Sequence, residues 1–280
     1  MFEDQRRSGA PVPGVQLRVL GGFELRTPGG AEISAIDLDG RRLLAALAVG
    51  AAPKTRTELS AMLWPELPRV SALAALSSAK AAVADLVTEN GRGLALVAEV
   101  TVDLVEALRR LREWQRDSGQ ALSVTAEEIA TLGDDLLPSW SEAWVEQERK
   151  RFHQVRVHAL ESLCRRLTQA GQPESAIRAG QLVVDLDPLR ESARRALIEA
   201  HLAAGNVSEA VHQYDTFVEL CAALGFAPDA ELRSFFPPSP AWPVLHVRRP
   251  IHPGYAVGRG VRFDAPGRRA KVGAGAAVRG

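Results

Sequence analysis

Apolar and polar residues alternate at the start of the chain, and the period then lengthens. Val15, Leu17 and Val19 alternate with Gln16 and Arg18, and Phe23 and Leu25 alternate with Glu24 and Arg26. A period of two marks half-buried strands. Gly21-Gly22 and Thr27-Pro28-Gly29-Gly30 read as turns. With Ile33 and Ile36 as a short third strand, a small antiparallel sheet is predicted over about 15–36. Next, Leu43, Leu44, Leu47 and Ala48 recur at helical spacing, with Asp37 or Asp39 as the cap.

The stretch 57–87 reads as a short helix, a Pro-bounded turn and a longer helix. Thr57 is placed as the cap of TELSAMLW, with Glu58 in its first turn. Pro65 ends that helix, and Leu67-Pro68-Arg69 forms the turn. The next helix is predicted from about Val70 to Val87. Its core face would hold Val70, Leu73, Leu76, Val83 and Leu86, and its outer face Ser71, Ala75, Ser78, Ala82 and Asp85. Asn90-Gly91 marks a turn. Leu94, Leu96 and Val100, Val102 then predict two strands of a closing hairpin. Strands, three helices and a hairpin, in that order, describe a winged helix-turn-helix.

From Leu104 the pattern is helical. Val105, Leu108 and Leu111 open a first helix, and Leu136, Leu137, Pro138, Trp140 and Trp144 form an aromatic connection. A long helix follows through Val155, Ala159, Leu163 and Leu167. Ala170-Gly171 and Ala204-Gly205 lie 34 residues apart. At the same offset Ala159 matches Ala193, Leu163 matches Leu197, Ala176 matches Ala210, Ile177 matches Val211 and Val184 matches Val218. Helix pairs at that period, with Gly between them, are the tetratricopeptide signature. Such pairs cannot bury their apolar faces alone, so they stack.

The predicted fold is thus mostly α. A winged helix-turn-helix domain (α+β) spans 15–103 and an all-α tetratricopeptide-like domain spans 104–236. Residues 1–14 and 237–280 are Pro- and Gly-rich, without helical or strand period. They predict disorder. An altered reading frame is the other account of 237–280.

Charge changes this picture. Residues 1–103 carry 11 basic and 12 acidic side chains, 104–236 carry 15 and 21, and 237–280 carry 8 and 1. A DNA-binding module ordinarily has a basic footprint, and the first module lacks one. Candidate chemistry is sparse. GxxxxGK[ST], GxGxxG and HExxH are all missing, and the six histidines are scattered. His153 and His158 are five apart, which does not place them on one helical face. His201 and His212 read as surface or inter-helix hydrogen-bonding groups. Cys164 and Cys221 form neither a disulfide framework nor a zinc spacing, and read as buried small hydrophobes. No cofactor, metal or catalytic residue is expected, and an enzyme is disfavoured. The N-terminus shows no apolar segment of a signal peptide. The run from Leu43 to Ala52 is too short to span a bilayer. A cytoplasmic location, with no membrane contact, is the expectation.

LRVLGGFELRTPGG, GRRLLAALAVG and RTELSAMLWPELPR resemble the start of the antibiotic regulatory protein family of bacterial transcriptional activators. LLPSWSEAWVEQERKRFHQVRVHALESLCRRLTQAGQPESAI and DPLRESARRALIEAHLAAGNVSEAVHQYDTFVELCAALGFAPDAELR resemble the same family's activation domain. The resemblance covers about 15–235. It implies an OmpR-like winged helix on double-stranded promoter DNA, and a tetratricopeptide-like domain that contacts a second copy, RNA polymerase or another protein. The family's recognition helix carries Asn, several Arg and a Trp; here Lys80 is its only basic residue between Val70 and Val87. The likeness stops after Arg233, which would shorten or remove the last helix.

The DNA-contact candidates are Arg41, Arg42, Lys54, Arg56, Arg69, Ser71, Ser78, Lys80 and Arg92. Arg and Lys hold phosphates, while Ser reaches a phosphate or a base edge at short range. Two functions stand side by side. One is a DNA-binding transcriptional activator. The other is a regulator working through protein contacts, with a degenerate winged helix that reads DNA weakly or not at all.

Overall fold

Leu17 and Leu25 face each other across the first pair of strands, and both are buried. Their strands are β1 (Gln16–Arg18) and β2 (Glu24–Arg26), joined antiparallel in a computed structural model that describes residues 14–50, 52–116 and 124–236. The readings of residues 1–13 and 237–280 as disordered lie outside the described residues. The third strand differs from the expectation at Ile33 and Ile36. It is β5 (Thr101–Val102), which pairs in parallel with the free edge of β1. The 32–33 segment makes only a single bridge from Glu32 to Arg26, with the Ile33 N–H on the Leu25 carbonyl. The chain then leaves the sheet, because Asp37 caps a helix there.

That helix, α1 (Leu38–Val49), begins where the Asp37 carboxylate accepts the Gly40 N–H at 2.8 Å. The next, α2 (Arg56–Leu63), is capped by Thr55 rather than Thr57. Thr55 Oγ1 accepts the Glu58 N–H at 3.2 Å, and Glu58 Oε2 accepts the Thr55 N–H at 2.8 Å. This reciprocal box needs Ser or Thr three residues before Glu or Gln. Thr55 and Glu58 have that spacing, whereas Ser60 stands three residues after Thr57.

After the turn, α3 runs from Arg69 to Ala82 and ends five residues before the expected Val87. Its buried stripe is Ala72, Leu76 and Ala79, continued by Val83; Val70 is 81% exposed. Val87 instead begins β3 (Val87–Asn90), which pairs antiparallel with β4 (Gly93–Leu96). The hairpin is therefore 87–96, not 94–102. Gly93 is required in it. Its φ is +129°, and a Cβ there would lie 2.3 Å from the Lys54 carbonyl oxygen, where the chain before α2 bridges to Leu94.

The remaining described helices are α4 (Asp103–Gln115), α5 (Ala126–Ala130), α6 (Ala143–Gln169), α7 (Pro173–Leu186), α8 (Glu191–Ala203), α9 (Val207–Leu224) and α10 (Ala230–Phe235). The 34-residue period is present in three dimensions. Gly171 and Gly205 sit at φ +72° and +75° between α6 and α7 and between α8 and α9. Each closes a Schellman pair. Gly171 N–H and Gln172 N–H donate to the Thr168 and Leu167 carbonyls, as Gly205 and Asn206 do to those of Leu202 and His201. Ala159, Leu163, Ala176, Ala193, Leu197 and Ala210 are all buried. Cys164 and Cys221 are buried too, and burial pushes the Cys164 thiol up to about 12. The last helix is present but only six residues long, with Leu232 under it.

The two parts share one core, which runs from Leu17 to Ala200. Asp103 ties them together: its carboxylate accepts the Val19, Leu20 and Leu104 N–H groups at 2.7–3.1 Å. Burial nevertheless raises its carboxyl above the ordinary range, against those bonds.

Candidate nucleic-acid interface

Helix α2, the turn after it, α3 and the 87–96 hairpin form a helix-turn-helix with a wing. Pro65 cannot extend α2, and the chain turns with the Leu67 N–H on the Trp64 carbonyl at 3.2 Å. Pro68 fixes the entry to α3, where its carbonyl accepts the Ala72 N–H. In this architecture the second helix of the motif enters the major groove, N-terminal residues first. The outward face of α3 carries Arg69, Val70, Ser71, Ala74, Ser77, Ser78 and Ala81. Ser77 turns its hydroxyl back onto the Leu73 carbonyl at 2.9 Å.

The structure separates the nine candidates into two groups. Arg41 donates to the Ile36 and Ser34 carbonyls and covers the Phe23 ring at 6.0 Å. Arg42 pairs with Glu142 at 3.0 Å and with Asp39 at 3.8 Å. Both therefore fasten α1 to its surroundings. Lys54 is half-buried, with Nζ 3.5 Å from the Ala46 carbonyl; burial lowers its ammonium below the ordinary value, opposed by the nearby Glu148. Arg56 and Lys80 converge on one carboxylate, Glu89 of β3, with Arg56 Nε at 2.8 Å. Lys80 and then Arg56 hold the Glu89 carboxyl below the ordinary glutamate value.

Arg69, Ser71, Ser78 and Arg92 make up the other group. All four are exposed, and no described residue binds their side chains. Arg69 opens α3, while Arg92 stands in the two-residue loop between Asn90 and Gly93. Two of the seven basic candidates thus remain unpaired. The residue the sequence reading missed is Glu89, which neutralises two of the others from 33 and 9 positions away. Only the hairpin register reveals it, because the expected strands begin at Leu94 and leave Glu89 between a helix end at Val87 and a turn at Asn90.

Among the described residues, no group of three or more metal-ligating side chains comes together. Nor is any described helix long and apolar enough to cross a membrane.

This is a protein with a small mixed-sheet and helix-turn-helix part ahead of a helical repeat. Residues 100–236 match the family model described as the bacterial transcriptional activator domain. The fold is similar to that of Mycobacterium tuberculosis EmbR, solved in complex with a low-affinity phosphopeptide. That match has a TM-score of 0.55 at 17% identity and covers 79% of this chain. The chain spans 63% of the length of the EmbR structure. No curated protein matches by sequence.

Proposed function

We propose that the chain is a cytoplasmic transcriptional activator. Its first module, residues 15–103, holds promoter DNA through few phosphate contacts, and its helical domain, 104–236, adds a protein partner. The observation that carries this reading is the charge state of the helix-turn-helix face. Arg69 and Arg92 are free, while Arg56 and Lys80 are neutralised by Glu89. Ser71 and Ser78 add short-range contacts. Arg41, Arg42 and Lys54 serve the fold first and would reach DNA only by giving up their present partners.

Two phosphate contacts give a slope of about −2 in log K against log salt, against about −5 to −9 for six to ten contacts. So weak a hold favours help from a second copy or from RNA polymerase. Val207, Val211, Leu224 and Phe226 leave apolar surface exposed on and just after α9. Stacked-helix arrays ordinarily close with a polar outer face.

The test is binding to the chain's own upstream region and to random duplex of equal length, from 50 to 200 mM salt. The expected result is a slope near −2 for a chain ending at residue 236, with the upstream region preferred. Deleting 237–280 removes 8 basic side chains, so the change in slope isolates their non-specific attraction. Equal affinity for both duplexes at every salt concentration would exclude sequence-specific DNA reading. A second reading, a regulator that acts through protein contacts alone, is favoured by Val70 at 81% exposure and Leu67 at 39%. The surface that should meet DNA is in part apolar.

A further inference from the structure

A cavity of about 350 Å³ lies beside α6, lined by Asp135, Arg149, Lys150, His153, Gln154 and Arg156. Its five α6 residues occupy one arc of the helix, since positions 149, 153 and 156 share a stripe and 150 and 154 flank it. Three are permanent cations, opposed in the cavity by the single carboxylate of Asp135. Part of this charge is structural. Arg149 donates to the Leu136, Leu137 and Trp140 carbonyls at 2.7–3.0 Å. Arg156 donates to the Leu132 and Asp134 carbonyls, pairs with Asp135, and stacks over Phe152 at 5.2 Å.

The rest is not explained by the fold. The Arg156 side chain is 2% exposed, and its Nε is buried without a partner. A buried donor left unpaired costs about 1–3 kcal/mol. Lys150, His153 and Gln154 point to no described partner either. A concave surface with two cations in excess and several unused donors is matched by a compact, multiply charged oxygen acceptor. Lys suits phosphate as a point charge, and the two arginines, spent on carbonyls and Asp135, add to the positive field around it. The volume sits at the small end of ligand cavities, about 300–1,000 Å³, and leaves room beyond a phosphate group for a small organic portion.

We propose that this cavity binds the phosphate group of a small phosphate monoester, through Lys150, His153 and Gln154, with the buried Arg156 guanidinium adding positive charge behind them. The site is separate from the helix-turn-helix face and does not depend on the DNA reading. It has a route to the first module. Its wall at Asp135 accepts the Gly21 N–H at 2.8 Å, and Leu137 N–H donates to the Val19 carbonyl at 2.9 Å.

The experiment uses the full chain, with inorganic phosphate and glycerol 3-phosphate as probes. Thermal melting and titration calorimetry are run at constant ionic strength, with chloride as the balance. The expected result is a saturable rise in melting temperature with either probe, tighter for the ester. Lys150→Glu should weaken binding by about tenfold or more, as for one charge-assisted hydrogen bond, and His153→Ala by less. Neither side chain has a described partner, so both variants should keep the wild-type circular dichroism; Lys150→Gln replaces Lys150→Glu should the charge reversal unfold the chain. A response equal to that of chloride, or one that the Lys150 variants leave intact, overturns the proposal. A 20-base-pair duplex provides the remaining arm. If Lys150→Glu lowers duplex affinity while neither probe binds, the cavity is a DNA contact and the proposal fails.

Discussion

The helical repeat and the winged-helix part differ in where their organising contacts lie along the chain. In the repeat, residues 34 apart do the same work: Ala159 and Ala193 are both buried, as are Leu163 and Leu197, and Gly171 and Gly205 make the same left-handed turn. In the winged-helix part, β1 is completed by β5 some 85 positions later, and Arg56 is neutralised by Glu89 from 33 positions away. A pattern that repeats shows its structure to a local reading. A pattern closed by distant strands shows its elements but not their partners, and partners decide which charges are free.

The comparison breaks most visibly if equivalent repeat positions are not equivalent in energy. Leu163→Ala and Leu197→Ala each remove a fully buried side chain from α6 and α8. Each is expected to cost about 2–5 kcal/mol in denaturant unfolding, with similar costs for the two. A loss at one position and near-neutrality at the other would show that the period is geometric only.

Legibility followed the same divide. The helix order, the Gly turns and the apolar matches of the repeat depend on neighbours at helical spacing, and the sequence displays them. The sheet was half legible: alternation marked β1 and β2, but Ile33 and Ile36 could not reveal that Thr101 and Val102 fill the third place. The end of α3 was misplaced for a related reason. Val83, Leu86 and Val87 continue an apolar helical spacing, yet Val87 pairs with Leu96. Strand pairing overrides local period where a partner waits. The site inherited this error. Lys80 counts as a DNA contact in the sequence because the strand that carries its carboxylate is not predicted there: the expected helix ends at Val87 and the expected turn begins at Asn90.

Glu89→Gln tests that divide directly. The substitution keeps a hydrogen-bonding side chain in β3 but removes the charge that holds Arg56 and Lys80. Stability should change by under about 1 kcal/mol, since the pairs are partly exposed. DNA binding should strengthen, by about tenfold at 0.1 M salt, and the slope should steepen from about −2 towards −4 as two more phosphates are engaged. Anisotropy titrations at three salt concentrations measure both quantities. If affinity and slope stay as they were, the face formed by α2, α3 and the hairpin does not meet DNA. The protein-contact reading then gains.

The smallest expected effect concerns the start of α2, where the signal was local and still misassigned. Thr55 and Glu58 form the reciprocal cap, and Thr57 stands exposed inside the first turn. Thr55→Ala removes the hydroxyl that accepts the Glu58 N–H and should cost about 1 kcal/mol; Thr57→Ala should stay within about 0.5 kcal/mol. The Thr55 backbone N–H holds the Glu58 carboxyl below the ordinary glutamate value. A carboxyl depressed in the fold stabilises it above the unfolded value and loses that contribution as pH falls through the folded one. The wild-type cap should therefore weaken on acidification below the ordinary glutamate range, and Glu58→Gln should flatten that part of the stability profile. A larger cost for Thr57→Ala than for Thr55→Ala would return the cap to Thr57. A larger cost for Thr55→Ala would show that the start of α2 is specified by Thr55 to Glu58 alone, within a module whose charges are set from much further away.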